Sequence, residues 1–232
     1  MANYALFDIE TKIDWELAEK IEDADREEIL GRLREQQGVG PLDDVWIPYT
    51  YHLPVVIACG LIESATGELT RLGCIKGEDS ETICAEWWNW VDTFQSDPRR
   101  GTLVSFNGRS FDLPVLELAA LRFGIPCGVH WNQKYGNRYR YQDDWHIDVL
   151  DLFTGHGATR GLRGGLSLLS GLVGMPVKSA AHSNLYDDVP LEVLQRWARN
   201  DVRRLYFVFQ RLQYIRDRLK DLPIEPPELE EE

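Results

Sequence analysis

The residues best suited to chemistry in this chain are carboxylates. In YALFDIETK, Asp8 and Glu10 stand two apart in an apolar run that reads as a strand, so both side chains leave the same face. Asp112 follows the loop of LVSFNGRSFDLPVL, where a strand ends at Asn107 and a helix begins; that position also suits a helix N-cap. Asp201 lies in LEVLQRWARNDVRRLYFVFQRLQYI, where Leu194, Trp197, Ala198, Leu205, Val208, Leu212 and Ile215 share one helical face and Asp201 interrupts it. A carboxylate facing a core is costly unless it is paired, bound to a cation or neutralised. Each acid alone has an ordinary explanation: a polar strand end, a cap, an aspartate paired with an arginine. Together they share another, because a hard divalent cation prefers oxygen ligands. Four carboxylates suffice for two Mg²⁺ or Mn²⁺ ions roughly 3.5–4 Å apart, the arrangement used for in-line displacement at phosphorus.

Around these acids lie side chains that suit a nucleotide. Phe106, Arg109 and Phe111 flank Asp112, and NQKYGNRYRYQ interleaves Lys134, Arg138 and Arg140 with Tyr135, Tyr139 and Tyr141, a pattern fitted equally to a single strand and to a polar loop over a sheet. Trp87, Trp88 and Trp90 read as helix core. His182, in HSNLYDDVP, precedes Asp187 by five residues in a stretch that reads as a loop.

The elements that must position these groups follow from periodicity. YALFDIE, PVVIACGLI, ELTRLGCI, TLVSFN and WHIDVLDLF read as strands. Helices are expected over the charged stretch 14–37, near 79–96, over LPVLELAALRFG, around LSLLSGLVG and over the long segment bearing Asp201. Early strands followed by mixed strands and helices predict an α/β domain with a mixed sheet. The chain has 232 residues, 44% of them hydrophobic, enough for a sizeable core. Cys59, Cys74, Cys84 and Cys127 form no CxxC pair and read as reduced thiols. The N-terminus has no leader pattern and no apolar run is long enough to span a membrane, which predicts a cytoplasmic protein. The net charge of −13 disfavours phosphate binding, yet residues 99–178 hold 10 Lys and Arg against 6 Asp and Glu.

The order FDIET, FNGRSFDLPVL, HIDVLDLF, GLSLLSGLVGMPVK and RNDVRRLY resembles the DnaQ-like (DEDD) 3′–5′ exonucleases, and among them stand-alone proteins related to the exonuclease domain of family B DNA polymerases. The resemblance implies an RNase H-like mixed five-stranded sheet flanked by helices, two divalent metal ions (Mg²⁺ or Mn²⁺), and stepwise release of nucleotides from a 3′ end. By position, the metal ligands and catalytic acids would be Asp8, Glu10, Asp112 and Asp201. Asn107 would support the site, Thr11 would lie near the terminal nucleotide, Lys178 would contact phosphate, and Asp148 would be a secondary acid. One residue departs from the pattern. Where the tyrosine branch of the family orients water there is Trp197, and the histidine-branch position is Arg196. An indole N–H only donates, and a guanidinium takes no proton. His182 is the visible substitute.

The expected organisation is a single exonuclease-like domain over 1–220, with a helical insertion at 13–45, and a disordered Pro/Glu-rich tail at 221–232. The expected activity is hydrolysis at the 3′ end of single-stranded DNA or of unpaired 3′ ends. A catalytically silent nucleic-acid-binding or partner-binding module and an exonuclease acting on RNA remain open alternatives.

Overall fold

The computed structural model describes residues 3–40, 45–63, 66–96, 101–132, 136–159, 165–177, 189–223 and 225–231. Its strands are β1 (Asn3–Ile13), β2 (His52–Ile62), β3 (Leu69–Cys74), β4 (Gly101–Ser105) and β5 (His146–Asp148). Its helices are α1 (Trp15–Glu22), α2 (Arg26–Gln37), α3 (Ser80–Ser96), α4 (Asp112–Phe123), α5 (Gly128–Asn132), α6 (Val149–Phe153), α7 (Leu166–Leu172) and α8 (Leu191–Ile215). The sheet order is β3-β2-β1-β4-β5. β1 pairs antiparallel with β2 and parallel with β4, and β5 runs parallel to β4.

The alternation along β1 divides the interior in two. Ala5, Phe7 and Ile9 point to one face, where Trp87, Trp88 and Val91 of α3 and Leu113, Val115 and Leu116 of α4 cover them. Leu6 points to the other, against Ala198, Val202, Leu205 and Phe209 of α8. Asp8 and Glu10 continue the Leu6 series. They therefore emerge on the α8 side of the sheet, where Leu6 ceases to be followed by an apolar residue. A third cluster, Ile13, Ala18, Ile29, Leu30, Ile47 and Tyr51, packs α1 and α2 beside the far end of β1.

Two elements differ from expectation. The charged stretch 14–37 is two helices, because Asp23 takes a left-handed φ of 48° and Asp25 caps the second by accepting the N–H of Glu28. WHIDVLDLF forms only a three-residue strand. The Asp148 side chain accepts the N–H of Leu150, which turns the chain into α6. In the tail, Glu230 docks on α8. Its carboxylate meets Arg199 Nη2 at 2.5 Å and Arg203 Nη1 at 2.8 Å, and its backbone exchanges hydrogen bonds with the Asn200 side chain. Among the described residues no helix is long and apolar enough to cross a membrane.

Candidate active site

The strand acids and the helix acid meet. Asp8, Glu10 and Asp201 each offer a carboxylate oxygen, and these atoms lie within 4.8 Å of one another. β1 supplies two of them from one face by its period of two, and α8 supplies the third from its buried stripe. Like charges this close repel and favour a cation between them. The donor set is all oxygen, which fits a hard divalent ion and not a soft one. Behind Asp201, one turn on, stands the buried Arg204: its Nε lies 3.6 Å from Asp201 Oδ1, and its Nη1 donates to the carbonyl of Pro176. Part of the charge on Asp201 is thus met from its own helix, as an arginine-paired aspartate would require.

Asp112 stands outside that group. It is buried at the first turn of α4, and the N-cap position itself belongs to Phe111. β4 pairs with β1 only as far as Leu6, and just beyond, the Asp112 carboxyl takes up the backbone N–H of Ile9, between the two strand acids. Burial pushes this carboxyl up to about 7, and the negative charge of Asp148 adds to the rise.

The loop that carries the chain from β4 to Asp112 is held by Asp148, whose carboxylate accepts the N–H of Asn107 at 2.9 Å and of Arg109 at 3.0 Å. Burial raises the pKa of Asp148, and these N–H groups oppose the rise. Asn107 sits at a φ of 64°. Gly108 is required by space, since a Cβ there would lie 2.2 Å from Ser105 Oγ. Asp148, whose role the sequence left open, is thus a positioning group.

Several expected substrate contacts are committed elsewhere. The Arg109 side chain is only 7% exposed: it pairs with Asp151 at 3.2 Å and donates to the carbonyls of Asn137 and His146. An arginine spent on internal partners is not offered to a phosphate, so the expected role of Arg109 gives way to a structural one. Thr11 is buried, with its Oγ1 2.7 Å from His52 Nδ1. His52 Nε2 faces the Ile47 carbonyl, so that nitrogen carries the proton and the Thr11 hydroxyl donates to Nδ1. The Thr11 side chain therefore anchors His52. Phe106 is partly buried against the α8 core. Phe111 is partly buried and meets Trp46 and His52 edge-on, at 5.4 and 5.1 Å between ring centroids. Trp197, one turn before Asp201, packs its indole against the α8 core. Arg140 pairs with Asp151. Lys178, Lys134, Tyr135 and His182 lie outside the described residues. Sequence reasoning missed Arg204 and Trp46. An arginine three residues after the helix acid was a usable signal for the first; nothing in the sequence pairs Trp46 with Phe111.

A family model described as "Predicted 3'-5' exonuclease related to the exonuclease domain of PolB" matches residues 44–225. The chain belongs to this family. The matched range takes in Asp112, Asp148 and Asp201, while β1 with Asp8 and Glu10 lies before it. Among solved structures, the chain is similar to the family B DNA polymerase from the hyperthermophilic archaeon Pyrobaculum calidifontis, with a TM-score of 0.54 and 15% identity over 92% of this chain and 25% of that one. It is also similar to E. coli Exonuclease I in complex with a dT13 oligonucleotide, with a TM-score of 0.42 and 12% identity over 94% of this chain and 43% of that one. The chain therefore spans a quarter of the polymerase and less than half of Exonuclease I. No curated protein matches the sequence. The polymerase likeness carries the fold: this member of the PolB-related exonuclease family has the RNase H-like mixed five-stranded sheet flanked by helices that its motifs imply.

Proposed function

We propose that the protein is a metal-dependent 3′–5′ exonuclease that releases nucleotides from the 3′ end of single-stranded DNA, or from unpaired 3′ ends, by two-metal phosphodiester hydrolysis. The observation that carries this reading is the convergence of Asp8, Glu10 and Asp201 within 4.8 Å, in a chain whose family is described by that activity. These three would hold one ion. Asp112, whose carboxyl ionises more readily when a cation is near, would serve a second together with the strand acids. Bound there, divalent ions supply a water of lowered pKa and neutralise charge on the phosphodiester.

The chain's own residues do the rest. Arg204 holds Asp201 in place from within α8, and Asp148 fixes the turn that presents Asp112. Phe106 and Phe111 brace that turn from either side, Phe106 against the α8 core and Phe111 against the α4 side. Trp197 neither accepts a proton nor aligns a water through a hydroxyl, so the reaction relies on the acidic residues and proceeds below the rate that a positioned base would add, about 10²–10⁴-fold.

Incubation of 5′-labelled oligonucleotides with Mg²⁺ or Mn²⁺ is expected to give a ladder shortening from the 3′ end, and Asp8→Asn or Asp201→Asn to abolish it. An unchanged ladder in both variants would sink the assignment. Trp197 favours a second reading, a non-catalytic binding module, which predicts binding of single strands without turnover under either metal.

A further inference from the structure

We propose that the outer face of α4 is a track for the single strand upstream of the 3′ end, one that grips bases and leaves phosphates in solvent; the inference rests on the exonuclease reading. A groove of about 690 Å³ runs along this face, lined by Tyr49, Thr50, Pro114, Leu118, Trp131 and Arg138. Its near end adjoins the turn that carries Asp112. Pro114 stands two residues beyond Asp112, and Thr50 stands two before His52, which touches both Thr11 and Phe111. It ends near Leu121 and Ile125. Ten residues of helix separate Phe111 from Leu121, about 15 Å, the length of roughly four stacked nucleotides at about 3.4 Å each.

The walls suit nucleobases. Tyr49 and Trp131, which line the groove, are 40% and 51% exposed; Trp46, 48% exposed, meets Phe111 edge-on outside that lining. Large flat rings left half in water along one continuous groove offer π-faces on which bases of any sequence stack. At the far end the guanidinium of Arg138 lies over the Trp131 ring, 4.3 Å from its centroid, which extends the stacking surface and places one cation at the rim. Glu117, the acid within the groove, is already engaged by Arg138 Nε at 3.1 Å and His130 Nε2 at 2.7 Å. A chain of net charge −13 is ill suited to bind a strand by neutralising its phosphates. A grip on base faces avoids that repulsion.

Binding in EDTA, where hydrolysis is stopped, tests the track with labelled DNA single strands of about three and about ten nucleotides, lengths within one to a few stacking sites. The longer strand is expected to bind more tightly. Trp131→Ala is expected to weaken the longer strand about five- to a hundredfold, the cost of one lost stacking platform, and far more than it weakens the trinucleotide. Trp131→Phe is expected to restore most of the loss, which separates stacking from folding. The slope of log affinity against log salt is expected to be shallow, about −0.7 to −1.4 for one or two ionic contacts on a single strand. Equal binding of both lengths, or Trp131→Ala and Tyr49→Ala both at wild-type affinity for the longer strand, would overturn the track. So would a salt slope steeper than about −3, the mark of several neutralised phosphates. The ladder assay reads the exonuclease separately: a persisting ladder with length-independent binding sinks the track alone, and length-dependent binding with no ladder under either metal sinks the exonuclease alone.

Discussion

Trp197 packs, partly buried, against the core beneath α8, one turn before Asp201, where the family resemblance expects a hydroxyl-bearing ring. A tyrosine fits the same apolar surroundings with less volume and adds an O–H that can align a water. Trp197→Tyr is therefore expected to raise the hydrolysis rate by about 10²-fold, the low end of what a positioned proton-handling group supplies, with substrate KM little changed. Steady-state kinetics on a single-stranded substrate checks this. An unchanged rate would mean that another group already orients the water. Among the four acids, period and pattern singled out each residue type, but they treated Asp112 as equivalent to the others. Its separate place follows from the early end of β4, which leaves the N–H of Ile9 for the Asp112 carboxyl to satisfy.

The shortest strand, β5, holds a buried histidine that links it to its neighbours. His146 Nδ1 donates to the Asn137 carbonyl at 3.0 Å, and its Nε2 accepts from Ser105 Oγ at 2.8 Å. Burial, helped by the charge of Arg109, lowers its pKa well below 6.5. A group whose pKa is depressed on folding contributes stability above its unfolded value, and that stability is lost as pH falls toward the folded value. The urea midpoint is thus expected to fall as pH drops below about 6.5, by up to about 1.4 kcal/mol per pH unit from this group. His146→Gln is expected to flatten that slope while lowering stability overall. A slope unaltered by the substitution would contradict the assignment. Strand and helix positions were legible from local pattern because alternation and helical period are local properties. The length of β5 was not: a capping carboxylate at Asp148 ended it, and nothing in an apolar run distinguishes that outcome from a longer strand.

Across the whole molecule, the acidic excess is partly placed to meet distant cations. Glu230 crosses 26 or more residues of chain to reach Arg203, Asn200 and Arg199, and the arginines, Arg199 foremost, hold its carboxyl down at about 2. This depressed pKa makes the contact present above about 4.5 and lost as pH falls toward 2. The pair remains open to water, with the Glu230 side chain 29% exposed. Glu230→Ala is therefore expected to cost less than about 1 kcal/mol in global stability, yet to speed proteolytic clipping of the last residues, read by mass spectrometry. Equal clipping of both proteins would show that the docking does not restrain the tail. By itself, the sequence determined that Asp8 and Glu10 share one face of β1, that Asp201 interrupts an apolar helical face, and which family the ordered motifs resemble. These depend on periods of two and 3.6 residues and on spacing along the chain. Only the tertiary structure decided that three of the acids meet, that Asp112 stands apart, that Arg109 turns inward to Asp151, and that Trp46 joins Phe111. Each is a choice of partner across tens of residues or more, made by packing and by the need of buried polar groups for a mate, and no local pattern records it.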